Sequence, residues 1–240
     1  MNSIVLPIGG SSINGQGEPD LGFLHAISEM IIKKNKNSGS GRFGFVAGGG
    51  KIARVYANAA RALGASEFNA DEIAIMSTKQ NARLLLEALR SAGCDVHGQV
   101  LETFGQAVTC HEQCVVMGGT IPGISTDADS VLLAEAMGAR RVINISNVDA
   151  IYDSDPKKNP SAKKFTRMAY DELIQLATRS DKRMAGTNFV FDLLACKLIA
   201  RSGIEAHFVS NQKLDDIWQA ISGGRHGGTV VGNFSGIGGK

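Results

Sequence analysis

The sequence predicts an α/β sandwich built on a mostly parallel sheet. Two observations carry that reading. Strand-like and helix-like patterns alternate along the chain. Three short apolar runs also each open into a glycine-rich turn: Ile8-Gly9-Gly10-Ser11-Ser12, Ala47-Gly48-Gly49-Gly50-Lys51 and Met117-Gly118-Gly119-Thr120. In an open parallel sheet such turns gather at the carboxyl ends of the strands, where ligands bind.

In order, Ile4 to Ile8 is the first apolar run. Leu21, Leu24, Ile27 and Ile31 fall at helical spacing. Lys33 to Gly41 reads as a polar connector and Phe43 to Ala47 as a strand. Ile52 to Leu63 reads as a helix ending before Gly64. Glu72 to Ser91 is a long helix with Leu84, Leu85 and Leu89 on its apolar side, stopped by Gly93. Val96 to Val100 and Cys114 to Met117 read as strands, Asp127 to Met137 as a helix closed by Gly138, and Arg141 to Ser146 as a strand. Asp153 to Lys164 carries Pro156 and Pro160 and reads as a surface loop. Phe189 to Arg201 reads as a helix, Glu205 to Ser210 as a strand, Lys213 to Ile221 as a helix and Gly228 to Val231 as a last strand. The expected organisation is one domain over 1–231, divided functionally near residue 150 but sharing one sheet, with a mobile glycine-rich tail over 232–240.

Hydrophobic residues make up 43% of the 240 and charged residues 20%, so a packed core is expected rather than disorder. The formal net charge of +2 gives no basis for a nucleic-acid or membrane surface, and sparse aromatics leave no stacking platform. No apolar run approaches the roughly 20 residues needed to span a bilayer. Met1-Asn2-Ser3-Ile4 lacks a basic n-region and an apolar h-region, so a cytoplasmic location is expected. Of the four cysteines, Cys110 and Cys114 flank His111, but the spacing is not a standard zinc pair. All four are read as buried or half-buried free thiols, and no metal is assigned to protein side chains.

The second turn carries the most chemistry. Three glycines let a backbone come close, free N–H groups at a helix start attract anions, and Lys51 and Arg54 can hold a polyphosphate. The run matches neither the P-loop nor the G-x-G-x-x-G fingerprint. A tight turn without a ligand is the plain alternative.

The glycine turns, in this order, resemble those of the amino-acid kinase superfamily and, within it, the archaeal-type uridylate (UMP) kinases. Further matching segments are Ile121-Pro122-Gly123, Ser125-Thr126-Asp127-Ala128, Asn147-Val148-Asp149 with Ile151-Tyr152, Asp155-Pro156-Lys157-Lys158 and Ala200-Arg201-Ser202-Gly203-Ile204. The resemblance runs from residue 3 to about 231. It implies a three-layer α/β/α fold, ATP with Mg²⁺, transfer of the γ-phosphoryl group to UMP, an acceptor-binding N-terminal part, an ATP-binding C-terminal part, and a hexamer built as a trimer of dimers.

It also implies residue roles. Gly10 and Ser11 fall beside the transferred phosphate, where backbone N–H groups stabilise developing charge. Gly49 matches a UMP contact; Gly50 and Arg54 match ATP contacts. Asp71 matches the carboxylate that binds the UMP ribose; from the sequence alone it reads equally as a helix N-cap before Glu72. Thr78, Lys79 and Asn81 share its helix near the acceptor pocket. Thr120, Ile121, Pro122, Gly123, Ile124, Ser125 and Thr126 form the UMP loop, which departs from relatives that often carry His at the Ile121 and Ile124 positions. Asp127 matches an Asp that orients phosphate-binding cations; simple N-capping is its alternative. Ser146, Asn147, Tyr152 and Asp155 match the ATP side. Asp192 and Lys197 are read as structural helix residues. No Lys precedes Gly9, where many superfamily members have one, so Lys51 and Arg54, with Mg²⁺ bound through ATP, are the candidates for charge neutralisation. A kinase of the same superfamily with another acceptor, or a non-catalytic nucleotide-binding protein, are the competing readings.

Overall fold

The computed structural model describes residues 3–15, 17–38, 41–156, 158–181 and 191–234. Their elements are β1 (Ile4–Ile8), α1 (Gly10–Ile13), α2 (Leu21–Ser38), β2 (Phe43–Ala47), α3 (Gly50–Ala62), α4 (Glu67–Ser91), α5 (Phe104–Thr109), β3 (Cys114–Met117), α6 (Thr126–Ala136) and β4 (Arg141–Ser146). There follow β5 (Ile151–Tyr152), β6 (Lys164–Phe165), β7 (Arg167–Ala169), α7 (Tyr170–Asp181), α8 (Leu193–Ser202), β8 (Glu205–Ser210), α9 (Leu214–Ser222) and β9 (Thr229–Gly232).

Seven strands form one sheet in the order β3-β2-β1-β4-β8-β9-β7. Neighbours are parallel except β8 and β9, and β5 pairs with β6 in a separate antiparallel hairpin. The chain runs outward from β1 through β2 to β3, then returns to place β4 on the other side of β1. The seam between β1 and β4 is therefore a topological switch point, the crevice where open α/β sheets bind ligands.

Both faces of the sheet are covered, which is why β1 and β2 read as continuous apolar runs rather than alternating ones. Ile4, Leu6, Ile8, Phe43 and Phe45 pack with residues of α2, α4 and α9. Val5, Val46 and Val142 pack on the opposite face with residues of α6 and α8. The result is three layers, α/β/α.

Several expected boundaries move, for physical reasons. The segment from Lys33 is not a connector: α2 continues to Ser38, with Lys33 and Lys36 exposed and Asn35 donating to Gln113 at 2.7 Å. The long helix begins at Glu67, capped by the Ser66 hydroxyl, which accepts from the Asn69 N–H at 3.2 Å. Asp71 is thus inside the helix and is not its N-cap. Val96 to Val100 is not a strand; only single bridges, Val96 with Cys114 and Leu101 with Met117, attach this segment to β3. The helix expected from Phe189 begins at Leu193, with Asp192 before it as N-cap; Phe189 itself lies outside the described residues. β9 extends the last strand to Gly232, and 235–240 also lie outside the described residues.

Gly44 on β2 faces α6. A Cβ there would lie 2.7 Å from Met137 Sδ, 3.0 Å from Leu133 Cδ2 and 3.1 Å from Val5 Cγ2. Gly44→Ala is expected to destabilise the fold by about 1–3 kcal/mol in urea unfolding, through overpacking. A double-mutant cycle with Met137→Ala should show favourable coupling, because a shorter side chain makes room for the new methyl. Strictly additive losses would place the strain in the backbone.

Candidate active site

The first two glycine turns interlock backbone to backbone. A Cβ on Gly10 would lie 2.1 Å from Gly50 N and 2.6 Å from Gly48 O; a Cβ on Gly48 would lie 2.9 Å from Gly10 N. Gly50 adopts φ +65°, a left-handed conformation natural to glycine. Gly9 donates its N–H to Ile145 O at 2.9 Å, and Gly48 to Ile8 O at 2.9 Å, so the ends of β1, β2 and β4 are drawn together. The N–H groups of Gly10 and Ser11 meet no acceptor among the described residues, and no side chain caps the start of α3. Such unpaired backbone donors suit an anion.

α4 runs beneath these turns and supplies the struts. Buried Asn81 donates to Gly48 O at 2.7 Å and accepts from Asn14 at 2.8 Å, bracing the first two turns. The Thr78 hydroxyl accepts from Gly119 N at 2.6 Å and donates to Ile75 O, holding the third. Asp71, about two turns closer to the helix N-terminus on the same face, accepts from Gly123 N at 2.9 Å; Gly123 has φ +83°. Thr78 and Asn81 are therefore load-carrying side chains between the turns, and Lys79 pairs with Glu102 at the surface. Sequence reasoning grouped the three as pocket neighbours; helical spacing toward two glycine turns was the signal for the first two.

Lys51 and Arg54 occupy the first turn of α3, exposed and without an ion-pair partner among the described residues. Lys51 lines an open pocket with Ser11, Asn14, Ile52, Val55 and Tyr56.

Two helix starts bring carboxylates together on the other wall. The Ser125 hydroxyl caps α6, accepting from Ala128 N at 3.1 Å, and donates to Asp192. Asp192 caps α8 by accepting from Ala195 N at 3.0 Å. Asp127, in the first turn of α6, is half-buried and is not the cap. Burial, and next the neighbouring Asp192 carboxylate, push Asp127 up to about 7; the Asp192 N–H partly offsets this. Asp129 is fully buried and accepts from the Thr120 hydroxyl at 2.6 Å and the Thr120 N–H at 3.2 Å. Burial raises it to about 6 against those hydrogen bonds. Sequence reasoning missed the roles of Asp129 and Asp192. Thr126 follows the cap, Ile121 is exposed, Pro122 is half-buried, and Ile124 packs against the core.

On the far side of the seam, Ser146 ends β4 beside Gly9 and its hydroxyl accepts from Val148 N at 3.2 Å. Asn147 is exposed. The Tyr152 hydroxyl donates to Asp149 at 2.9 Å, and Lys164 and Lys213 reach the same carboxylate at 3.0 and 3.1 Å. Burial opposes ionisation there, but the two ammonium groups and the phenol outweigh it and hold Asp149 at about 2. Asp155 is exposed on the β5–β6 hairpin, its carbonyl accepting from Asn159 N at 2.8 Å.

Interlocked glycine turns at the carboxyl ends of parallel strands, opening onto an uncapped helix start with two cations unpaired among the described residues, give an α/β protein an arrangement suited to a phosphate. Comparison with known proteins agrees. The model of the amino acid kinase family matches residues 2–210. The uridylate kinase of Archaeoglobus fulgidus is 40% identical over 228 residues, covering 95% of this chain and 99% of that protein. That of Thermococcus kodakarensis is 38% identical over 230 residues, covering 95% and 98%. The crystal structure of the Archaeoglobus fulgidus uridylate kinase superposes with a TM-score of 0.80 at 36% identity, over 96% of this chain and all of that one. The UMP kinase structure from Bacillus anthracis, at 20% identity and TM-score 0.79 over 98% and 97% of the two chains, shares the fold. The chain belongs to the amino acid kinase family.

Asp127 gives a pH test. Its folded value of about 7 lies above its ordinary value of 3.8, so the folded state holds the proton and loses stability as pH rises between the two. Asp127→Asn removes that burden. The variant should melt higher than the parent by a margin that grows from pH 4 to 7 and is flat above. A margin that shrinks with pH would mean that the carboxylate is stabilised where it sits.

Proposed function

We propose that the protein transfers the γ-phosphoryl group of ATP to UMP, giving UDP. The near-full-length similarity to proteins named uridylate kinase supports the activity, and the interlock of Gly10 with Gly48–Gly50 is the observation in the fold that carries it. A phosphate chain laid across that interlock meets unpaired N–H groups from both turns, with Lys51 and Arg54 alongside. Phosphoryl transfer needs little beyond such positioning and charge neutralisation.

In this reading Gly10 and Ser11 hold the transferring group, while Gly50 and Arg54 hold ATP together with Ser146, Asn147, Tyr152 and Asp155. Gly49, Asp71 and the Thr120–Thr126 loop hold UMP: one Asp71 oxygen is engaged by Gly123, and the carboxylate has acceptor capacity left for ribose hydroxyls. Asp127 organises charge near the transferred phosphoryl group. The glycine cradle, closed to any Cβ, fits a polyphosphate, and oxygen donors suit the Mg²⁺ that accompanies it. When bound through ATP, Mg²⁺ supplies further neutralisation of the phosphate oxygens. A cytoplasmic hexamer of paired subunits, with residues 1–150 on the acceptor side and 151–231 on the ATP side, belongs to the same reading. No described helix is long and apolar enough to cross a membrane.

A coupled assay of ADP formation with UMP, CMP, AMP and GMP tests the proposal. UMP should be turned over fastest, and chelation of Mg²⁺ should stop the reaction. Equal or faster use of CMP would overturn the uracil assignment, and no turnover of any monophosphate would leave a nucleotide-binding protein.

Two substitutions separate the halves of the site. Asp71→Asn should raise the KM for UMP and leave that for ATP nearly unchanged. Arg54→Ala should do the reverse: a lost charge-assisted contact is worth roughly 1.5–3 kcal/mol, while an exposed helix Arg costs within about 0.5 kcal/mol to remove from the fold. Steady-state kinetics that exchange these effects, or show neither, would reassign the residues.

A further inference from the structure

We propose a second site, for a thiophilic divalent cation of the zinc type, formed by His97, Cys110 and Glu112. One ligand atom from each lies within 4.8 Å of the others, and all three residues are half-buried. The group sits beside the start of edge strand β3, at the amino ends of the parallel strands. The glycine turns follow the carboxyl ends, so this site is separate from the candidate active site.

The backbone holds the three ligands in place. His97 donates its N–H to Cys114 O at 2.9 Å, and Cys114 returns a bond to Asp95 O at 2.9 Å, pinning the 95–97 segment to β3. Cys110 is the C-cap of α5, its N–H on Gln106 O at 3.0 Å. The Glu112 carboxylate is fixed at both oxygens: Oε1 contacts His97 Nδ1 at 3.1 Å, and Oε2 accepts from His111 N at 3.1 Å. That first contact needs a proton between imidazole and carboxylate, and an ion bridging the two takes the proton's place. Tetrahedral zinc with N, O and S ligands sets them about 3.3–3.8 Å apart, so closure requires side-chain shifts of about 1 Å. Imidazole, thiolate and carboxylate together favour zinc over magnesium, which takes oxygen ligands. Binding releases the Cys110 thiol proton to solvent and moves the His97 Nδ1 proton, by exchange with solvent, to Nε2, giving two anionic ligands and a neutral imidazole, with water as a fourth ligand. The nearby Arg42 guanidinium is held by the carbonyls of Ala107 and Glu112, and the two anionic ligands outweigh its charge. The His111-centred spacing noticed in the sequence is not the ligand set: Cys114 is fully buried.

Titration of tag-free, chelator-stripped protein with Co²⁺, followed by Zn²⁺ competition, tests the site. One Co²⁺ per chain should bind, with tetrahedral absorption and a thiolate-to-cobalt charge-transfer band. Cys110→Ser should abolish that band and Cys94→Ser should keep it. His97→Gln and Glu112→Gln should weaken Zn²⁺ binding by more than the roughly 10–100-fold typical of an outer-shell partner. Bound Zn²⁺ should also protect Cys110 of the unmodified protein from alkylation, read by mass spectrometry, which needs no variant to fold. Absence of saturable binding, a band that survives Cys110→Ser, or alkylation of Cys110 unaffected by Zn²⁺ would each overturn the proposal.

Discussion

The close approach of Gly10 to Gly48 and Gly50 is the contact on which the site depends. Two strands of a parallel sheet end about 4.8 Å apart, and their following turns can touch only where neither carries a side chain. The clearances around Gly10 leave room for no Cβ at all. The approach presents backbone N–H groups from two turns toward one volume, and it stays open because Asn81, from a third element, takes up the Gly48 carbonyl. A buried amide bridging Asn14 and Gly48 is costly to leave half satisfied, so the two turns and α4 keep one geometry together.

The length of α4 follows from the same constraint. Asp71 and Asn81 lie about 15 Å apart along a helix axis at 1.5 Å per residue, and with Thr78 between them they touch the Gly48 turn, the Gly119 turn and Gly123. A helix starting at Glu72, as the apolar periodicity alone implies, would leave Asp71 in a flexible lead-in. Beginning at Glu67 after the Ser66 cap, the helix holds Asp71 in its second turn, where the carboxylate has a fixed direction. The loop carrying Gly123 is thus positioned by the helix that braces the glycine turns, and the two are set relative to each other by a rigid rod.

Much of this was legible in the sequence. Phe43–Ala47, Cys114–Met117 and Arg141–Ser146 have the expected bounds, because strands buried on both faces are short apolar runs with glycine or charge at their ends. The glycine turns were legible because only glycine tolerates the approach. Less visible were features fixed by distant partners. β7, three residues long, exists through its pairing with β9 some sixty positions later, and Val96 to Val100 has apolar ends but meets β3 only at isolated bridges. Asp192 looked like an ordinary helix residue, since nothing local announces that its carboxylate meets Ser125 and Asp127 across two helix starts. Lys51 and Arg54 stand on the expected helix turn; their roles rest on chemistry proposed above.

The arrangement of charge fits a site that must receive an anion. Long cationic side chains close to carboxylates tend to pair with them, and such a pair has to be broken before a phosphate can bind. Here the acids are occupied otherwise. Asp192 is held by Ser125 and the α8 start, Asp129 by Thr120, and Asp127 lies within the first turn of α6. Helix N-termini stabilise negative charge without using up a cation. Burial of Asp127 and Asp129 raises both toward neutrality, which lowers the negative charge on that wall. Lys51 and Arg54 are exposed and have no ion-pair partner among the described residues. In the reading proposed above, a chain with no Lys before its first glycine turn leaves charge neutralisation to those two cations, while the three acids are held by partners of their own.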